Sequence, residues 1–358
     1  MYKLLGDNFR FVATFPRDLK ELKGGRDYSN RPYCVLAAES DEAVCEAHRL
    51  NVVSDICVFG AGHLEWEKER STTDKLAFEV SERWLKRGWC NVLSPRLIQW
   101  WLLYQRRLKD KPFYRLCCSA FTASDDLKLG CYQGRHFKWG YFTAVDANFD
   151  VEASITDAST SEITPLMWCA RFLMLKHPEL PVEMARRLKE KGYRFVLDFY
   201  GSGDQEEPTK QLVKKYQLQD CIKFHGNVPN EQVLEAMRQH SIFLFTSDKN
   251  EGWGAVANES MANGCVLVAS DVIGSSPYLI RDGYNGYKFR SGDVDDLKAK
   301  VERLLDDKIE LKRIQRNAYA TMRDLWSPQV AARNLLTLVS DIQKGRDTSI
   351  AEGPGSKA

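Results

Sequence analysis

Charge of one sign is the first thing this chain lacks. Its 51 Lys and Arg stand against 49 Asp and Glu, a net charge of +2. The total exerts no strong pull on nucleic acid, and none is expected as a partner. Also missing is any apolar run near the length needed to cross a bilayer. The opening residues, Met1 to Phe15, show no basic segment leading into an apolar stretch and a small-residue cleavage site, so no secretory signal is read there. None of the ten cysteines (Cys34, Cys45, Cys57, Cys90, Cys117, Cys118, Cys131, Cys169, Cys221 and Cys265) forms a Cys-x-x-Cys pair, which excludes zinc-knuckle and thioredoxin-like sites. They read as reduced, buried small hydrophobes of a cytoplasmic protein. The six histidines show no His-Glu-x-x-His or other metal spacing, so no required metal is expected. Neither a Ser-His-Asp nor a Cys-His arrangement can be argued, and no short tandem repeat is visible.

What is present is an ordinary globular composition, 44% hydrophobic and 28% charged, on 358 residues. That length accommodates two domains, each with a full core. Short β-branched or aromatic runs alternate with longer stretches of helical period, which argues for a parallel α/β architecture. Strand candidates in the first half are Phe9–Thr14, Tyr33–Ala38, Asp55–Gly60, Leu76–Val80, Tyr114–Ser119 and Phe137–Phe142. In the second half they are Leu166–Phe172, Arg194–Tyr200, Cys221–His225, Ile242–Thr246, Val266–Ser270 and Gly286–Phe289. Pro181–Lys191, Glu231–His240 and Ala255–Asn263 have helical period. Residues 150–164 are polar, rich in Ser and Thr, and read as an interdomain linker between residues 1–149 and 165–326. Residues 345–358 read as a disordered tail.

The most informative stretch runs from Phe245 to Gly264. It reads as strand, loop, helix and glycine stop, with Glu251 in the loop and Glu259 in the second turn of the helix. The two carboxylates lie eight positions apart, so both can face one cleft at different heights. Gly252 and Gly254 let backbone amides approach a ligand closely.

Glu251-Gly252-Trp253-Gly254 followed by Glu259-Ser-Met-Ala-Asn-Gly264 resembles the Glu-x7-Glu signature of the group 1 retaining glycosyltransferases, which have the GT-B fold. The usual form has Phe at the place of Trp253 and Ala at that of Ser260. The likeness continues, in order, through Ala170-Arg171…Lys176, Tyr200-Gly201-Ser-Gly203-Asp, Phe224-His-Gly226-Asn-Val228, Val-Leu-Val-Ala-Ser-Asp-Val-Ile-Gly274 and Asp282-Gly-Tyr-Asn-Gly286. It covers roughly residues 165–330.

This resemblance implies two Rossmann-like domains facing across a cleft: an acceptor domain over 1–149, a nucleotide-sugar donor domain over 165–326, and a helix over 327–344 crossing back to the first. It implies that Arg171 and Lys176 hold the donor diphosphate and that Glu251 positions the transferred sugar. Glu259 would accept from ribose hydroxyls, Val228 would lie beside the base, and Gly201, Gly203, Gly252, Trp253 and Gly254 would complete the donor site. Transfer would occur with retention, from a UDP- or GDP-sugar to a glycan or lipid-linked acceptor, in surface polysaccharide or cell-envelope synthesis, with no cofactor. Relatives open on a strand and a glycine-rich turn. Here Met1 to Thr14 reads as the end of a first helix and the second strand, so the N-terminal domain reads as lacking its first strand. A non-catalytic nucleotide-sugar binder is the alternative.

Acceptor-side candidates are His63, Ser81, Glu82 and Arg83, at the ends of strand candidates. Residues 83–115 hold nine basic residues and one acidic one, interleaved with Trp100, Trp101 and Leu103–Tyr104. Such a segment suits either a core helix with a solvated basic face or peripheral contact with the inner face of a membrane. Asp293-Val-Asp295 imitates a metal-binding Asp-x-Asp but reads better as a helix N-cap.

Overall fold

The computed structural model describes residues 1–14, 31–60, 64–86, 88–159 and 162–358. Among these lie twelve strands: β1 Phe11–Ala13, β2 Cys34–Leu36, β3 Ile56–Phe59, β4 Leu76–Ser81, β5 Phe113–Cys117, β6 His136–Lys138, β7 Thr164–Cys169, β8 Phe195–Tyr200, β9 Ile222–Gly226, β10 Ile242–Phe245, β11 Val266–Ser270 and β12 Gly286–Phe289. Each falls on one of the twelve apolar runs.

The C-terminal half is one sheet in the order β12-β11-β10-β7-β8-β9, with every pair parallel. Strands β10 and β11 are buried along their whole length. Both faces are covered by helices, so their sequences run apolar without alternation. Side-chain alternation then divides the core. Leu166, Trp168, Ile242 and Leu244 enter one cluster, and Met167, Phe243 and Phe245 enter another on the opposite face. The helix Glu179–Glu190 covers the first face with Leu180, Val182, Met184, Ala185 and Leu188.

This strand order fixes where a ligand can bind. The chain starts at β7 in the middle, runs outward to β9, then returns to the other side of β7 at β10. The loops leaving β7 and β10 therefore diverge in direction and open a crevice at the strands' C-terminal ends.

The N-terminal half has a parallel four-stranded sheet, β3-β4-β5-β6. Strands β1 and β2 form a separate parallel pair. The last helix, Pro328–Gln343, packs Leu335, Leu338 and Val339 against Leu76, Phe78, Leu116 and Phe137 of this sheet. The two halves are thus α/β units that share a C-terminal helix.

Three expectations require correction. Residues 150–164 are not a plain linker, because Val151–Ser159 is helical. Asp150 Oδ1 accepts from the amides of Glu152 and Ala153 at 3.0 Å each, which satisfies donors of the first turn. Glu152 then pairs with Arg316 of the helix Lys308–Asp324. Residues 345–358 are not a disordered tail either. Lys138 N–H donates to Ser356 O at 2.7 Å, and Gly355 N–H to Lys138 O at 2.8 Å. Asn334 Nδ2 donates to Pro354 O at 2.8 Å. The segment covers the open edge of β6, whose backbone groups would otherwise lack partners. Its Gly and Ser content hid this because the partners lie far away in sequence. Finally, the cysteines are not uniformly buried: Cys45 and Cys90 are exposed and Cys34, Cys57 and Cys169 are partly so.

Candidate active site

The two loops at the switch between β7 and β10 are tied together by hydrogen bonds to backbone carbonyls. Thr246 Oγ1 donates to Lys176 O at 2.7 Å, and Asp248 N–H to Leu175 O at 2.9 Å. The consequence is a direct ion pair between Lys176 Nζ and Glu251 Oε2, with side chains 15% and 14% exposed. Ser247 Oγ also donates to Glu251 Oε2, at 3.1 Å. The Lys176 ammonium stands 5.8 Å from the centroid of the Phe245 ring, and Gly254 packs on that same ring.

Arg171, two residues beyond the end of β7, is exposed. Its side chain has no hydrogen-bond or ion-pair partner among the described residues. Glu259 lies in the first turn of the helix Val256–Ala262, not the second, because the helix starts later than its periodicity suggested. Its carboxylate is half-buried and also unpaired among the described residues, and burial raises its pKa. Cys169, at the end of β7, senses both loops. Burial first, then the charge of Glu259, pushes its thiol up to about 12, against the pull of Lys176. Lys176, Glu251 and Glu259 therefore gather at the end of β7, and Arg171 follows that end by two residues.

The glycines divide by role. Gly201 and Gly203 have φ of +118° and +150°, and a side chain on either would strike the backbone of Ala170 or Phe172. They let the turn after β8 pack beneath the Arg171 loop, where Phe172 N–H donates to Ser202 O at 2.9 Å. They support that loop and do not form an open cradle. The Trp253 indole is buried. It donates to Asn258 Oδ1 at 2.7 Å and packs against Trp326 and Tyr278. Its side chain is core, so only its backbone borders the loop; a fused ring system flanked by glycines can be pulled into a core as readily as it can line a site. Val228 is half-buried against the core beyond β9. Beside it His225 stacks on Tyr200 at 4.5 Å. His225 and His240 sit 2.7 and 3.0 Å from the Asp198 carboxylate. Burial works to raise the pKa of Asp198, and the hydrogen bonds from His240 and His225 outweigh it and hold it low.

Across the crevice, three N-terminal strand ends face these loops. Glu82, after β4, is held by Tyr141 Oη at 2.6 Å and by Lys86 Nζ at 2.6 Å. Its carboxylate rests on the Cα of Gly252, leaving no room there for a side chain. Ala120, after β5, donates its N–H to Gly274 O at 2.9 Å. Gly140, after β6, lies flat against the Trp253 ring. Burial and the hydrogen bond to Glu82 both raise the Tyr141 pKa, and the Glu251 charge adds to them.

The other acceptor-side candidates fare differently. Arg83 turns away to Asp125, with Nε to Oδ2 at 3.0 Å. Ser81 is buried and donates to Glu82 O at 2.9 Å. His63 lies outside the described residues. Tyr141, Lys86, Ser247 and Gly274 complete the arrangement, and none was singled out as a site residue. Position was the available signal for Tyr141, which follows a glycine just past a strand end. Asp293 accepts from Asp296 N–H at 3.0 Å and caps the helix Val294–Asp306. Among the described residues no group of His, Cys, Asp and Glu is placed to hold a metal ion.

Chemically, one loop supplies two cations, Arg171 and Lys176, and the other two carboxylates, Glu251 and Glu259, with Lys176 and Glu251 in direct contact. Arginine and lysine suit an anionic group such as a phosphate. Carboxylates suit the hydroxyls of a polyol.

A family model described as "Glycosyl transferases group 1" matches residues 166–321. The amylovoran biosynthesis glycosyltransferase AmsK of Erwinia amylovora is 28% identical over 175 residues, which is 48% of this chain and 43% of that protein. The putative colanic acid biosynthesis glycosyltransferase WcaL of Escherichia coli is 26% identical over 176 residues, 48% of this chain and 43% of that one. The chain thus spans less than half the length of these curated relatives. Among solved structures, a glycosyltransferase from Rickettsia africae superposes with a TM-score of 0.68 at 18% identity, over 96% of this chain and 92% of that chain. The Anabaena protein HepE in complex with UDP and glucose gives a TM-score of 0.61 at 14% identity, over 84% and 81%. At these identities the likeness is one of fold: two Rossmann-like domains in the GT-B arrangement.

Proposed function

We propose, from the premise that this chain belongs to the group 1 glycosyl transferases through residues 166–321, that it moves a hexosyl unit from a UDP- or GDP-sugar to a glycan or glycolipid acceptor, with retention, in the synthesis of a surface polysaccharide or cell-envelope glycan. One observation carries the reading. Lys176 and Glu251, from separate loops, are paired at the switch point, with the Glu259 carboxylate beside the same strand end and Arg171 two residues beyond it.

In this account the Lys176–Glu251 pair opens when the donor binds. The diphosphate takes Lys176 and Arg171, whose charge stabilises the negative charge that builds on the departing nucleoside diphosphate. Glu251, released, accepts from hydroxyls of the transferred sugar. Glu259 accepts from the ribose hydroxyls, which supply the partners its half-buried carboxylate lacks. Glu251 positions the sugar and is not assigned as nucleophile; the leaving phosphate receives the acceptor's proton. Glu82, braced by Tyr141 and Lys86 against Gly252, faces the acceptor side.

The HepE structure supports a uridine nucleotide as one donor to try first. A thermal-shift screen of nucleoside diphosphates and their sugars identifies the base, because a bound ligand raises the unfolding midpoint with its affinity. Slow donor hydrolysis by the wild type, lost in Arg171→Ala and Glu251→Ala, is the expected result. Tight nucleotide binding without turnover in any acceptor mixture would instead make the chain a binder.

A further inference from the structure

The segment from Gly88 to Leu108 comprises a 3-10 turn at Gly88–Leu93, the helix Pro95–Leu103 and a wider turn at Tyr104–Leu108. One side is core: Leu97, Trp100, Tyr104 and Leu108 are buried in the N-terminal domain. The other side is unusual for a protein surface. Trp89 is 62% exposed, Leu93 78%, Ile98 43% and Trp101 39%. Interspersed with them are Arg96, Arg106, Arg107 and Lys109, all exposed. None of these four has an ion-pair partner among the described residues. Large apolar side chains left in water beside uncompensated cations are costly in a freely soluble protein and favourable against one kind of surface.

We propose that this face docks on an anionic phospholipid bilayer. Trp89, Leu93, Ile98 and Trp101 enter the interfacial layer, and Arg96, Arg106, Arg107 and Lys109 meet the lipid phosphates. Charge complementarity selects this occupant. A protein partner of ordinary composition would bring carboxylates to only part of a patch this basic, whereas an anionic leaflet presents negative charge across all of it. The attachment is peripheral, since no helix among the described residues is long and apolar enough to cross a membrane.

The same segment walls a pocket of about 210 Å³ lined by Arg83, Trp84, Lys86, Asn91, Ser94 and Leu97. Lys86 joins this pocket to Glu82 and so to Gly252 of the donor loop. Docking therefore brings the lipid surface to the acceptor side of the crevice. This last consequence rests on the glycosyltransferase reading, whereas the docking does not, and the two fail separately: vesicle binding needs no donor, and donor hydrolysis needs no vesicle.

The test is co-sedimentation of the full chain with vesicles of phosphatidylcholine alone and with about one third phosphatidylglycerol. Each basic residue near an anionic surface contributes roughly five-fold to partitioning. The triple variant R96E/R106E/R107E is expected to lose at least about 100-fold toward anionic vesicles. The pair W89S/L93S is expected to lose roughly 10-fold or more at any salt. Wild-type binding should weaken steeply as salt shortens the screening length. All five positions are exposed, and unchanged unfolding midpoints would exclude misfolding. A chain that stays in the supernatant with anionic vesicles at low salt overturns the proposal, as does partitioning that neither variant changes.

Discussion

The two sheets bury themselves in different ways. The C-terminal sheet is filled with apolar side chains on both faces, Leu166, Trp168, Leu197, Phe199, Leu244 and Val268 on one and Met167, Phe243, Leu267 and Ala269 on the other. Lys176, Glu251 and Glu259 stand beyond its strand ends, and Asp198 on β8 is held by His225 and His240. The N-terminal sheet has put charge inside. Arg115 on β5 is fully buried and pairs with Glu79 on β4 and with Asp126. Trp100 Nε1 and Tyr132 Oη donate to Glu79 at 3.1 and 2.8 Å. The guanidinium lies 4.7 Å from the Trp100 ring and 4.4 Å from that of Tyr132. Glu67 is buried nearby with no hydrogen-bond partner. Its burial, then the Glu79 charge, raises its pKa well above the ordinary carboxylate value. An apolar core is defined by volume and tolerates exchange of similar side chains. A buried charge network tolerates almost none, because each member removed strands the others.

That difference can be broken most severely at Arg115. Arg115→Met should cost ~3–5 kcal/mol in urea unfolding by leaving Glu79 and Asp126 uncompensated. Arg171→Met, at the exposed strand end, should fall within about 0.5 kcal/mol. Equal costs would erase the contrast between a structural and a ligand-directed arginine. Next in size, Lys176→Ala should lower donor turnover by roughly 10²–10³-fold, the scale of losing one donor to developing charge, with a fall in the unfolding midpoint too small to account for it. A fall in that midpoint matching the fall in activity would reduce Lys176 to a structural role. Removing residues 346–358 should destabilise the chain by about 1–3 kcal/mol. Limited proteolysis should then open the N-terminal half first, since the tail covers the edge of β6.

The smallest effects are in pH dependence, where the halves should differ in sign. Glu67 binds its proton more tightly folded than unfolded. Stability therefore declines as pH rises from the ordinary carboxylate value of 4.5 to its raised value, and stays lower above that. Glu67→Gln should abolish this decline. Asp198 is the reverse: its pKa is depressed, so its contribution is present above the ordinary value of 3.8 and is lost as pH falls through the folded value. Asp198→Asn should remove that acid-side loss. Urea midpoints measured across pH in both variants check the two signs, and identical profiles would contradict them.

The same contrast explains what was legible in the sequence. All twelve strands could be read because β-branched and aromatic runs bounded by turn residues are a local signal. The donor loop was legible because Glu251, Glu259 and the glycines lie within one short stretch. The acceptor side was legible only at Glu82, because Glu82, Tyr141, Ala120 and Gly252 meet only through the packing of two sheets. Arg83 and Glu82 are adjacent in sequence and point to different places, one to Asp125 and one to the crevice. The place of the Trp253 indole was not legible for a related reason: nothing local reveals that Gly140 leaves space for it. The ordered tail was hidden because its partner, Lys138, lies more than two hundred residues away.

The account depends on Lys176 exchanging Glu251 for a phosphate. A crystal structure of the chain with UDP or GDP bound tests it most directly. The account predicts a diphosphate against Lys176 Nζ and Arg171, ribose hydroxyls on Glu259, and Glu251 released from its lysine. A nucleotide lodged elsewhere, with the Lys176–Glu251 pair intact, would contradict it.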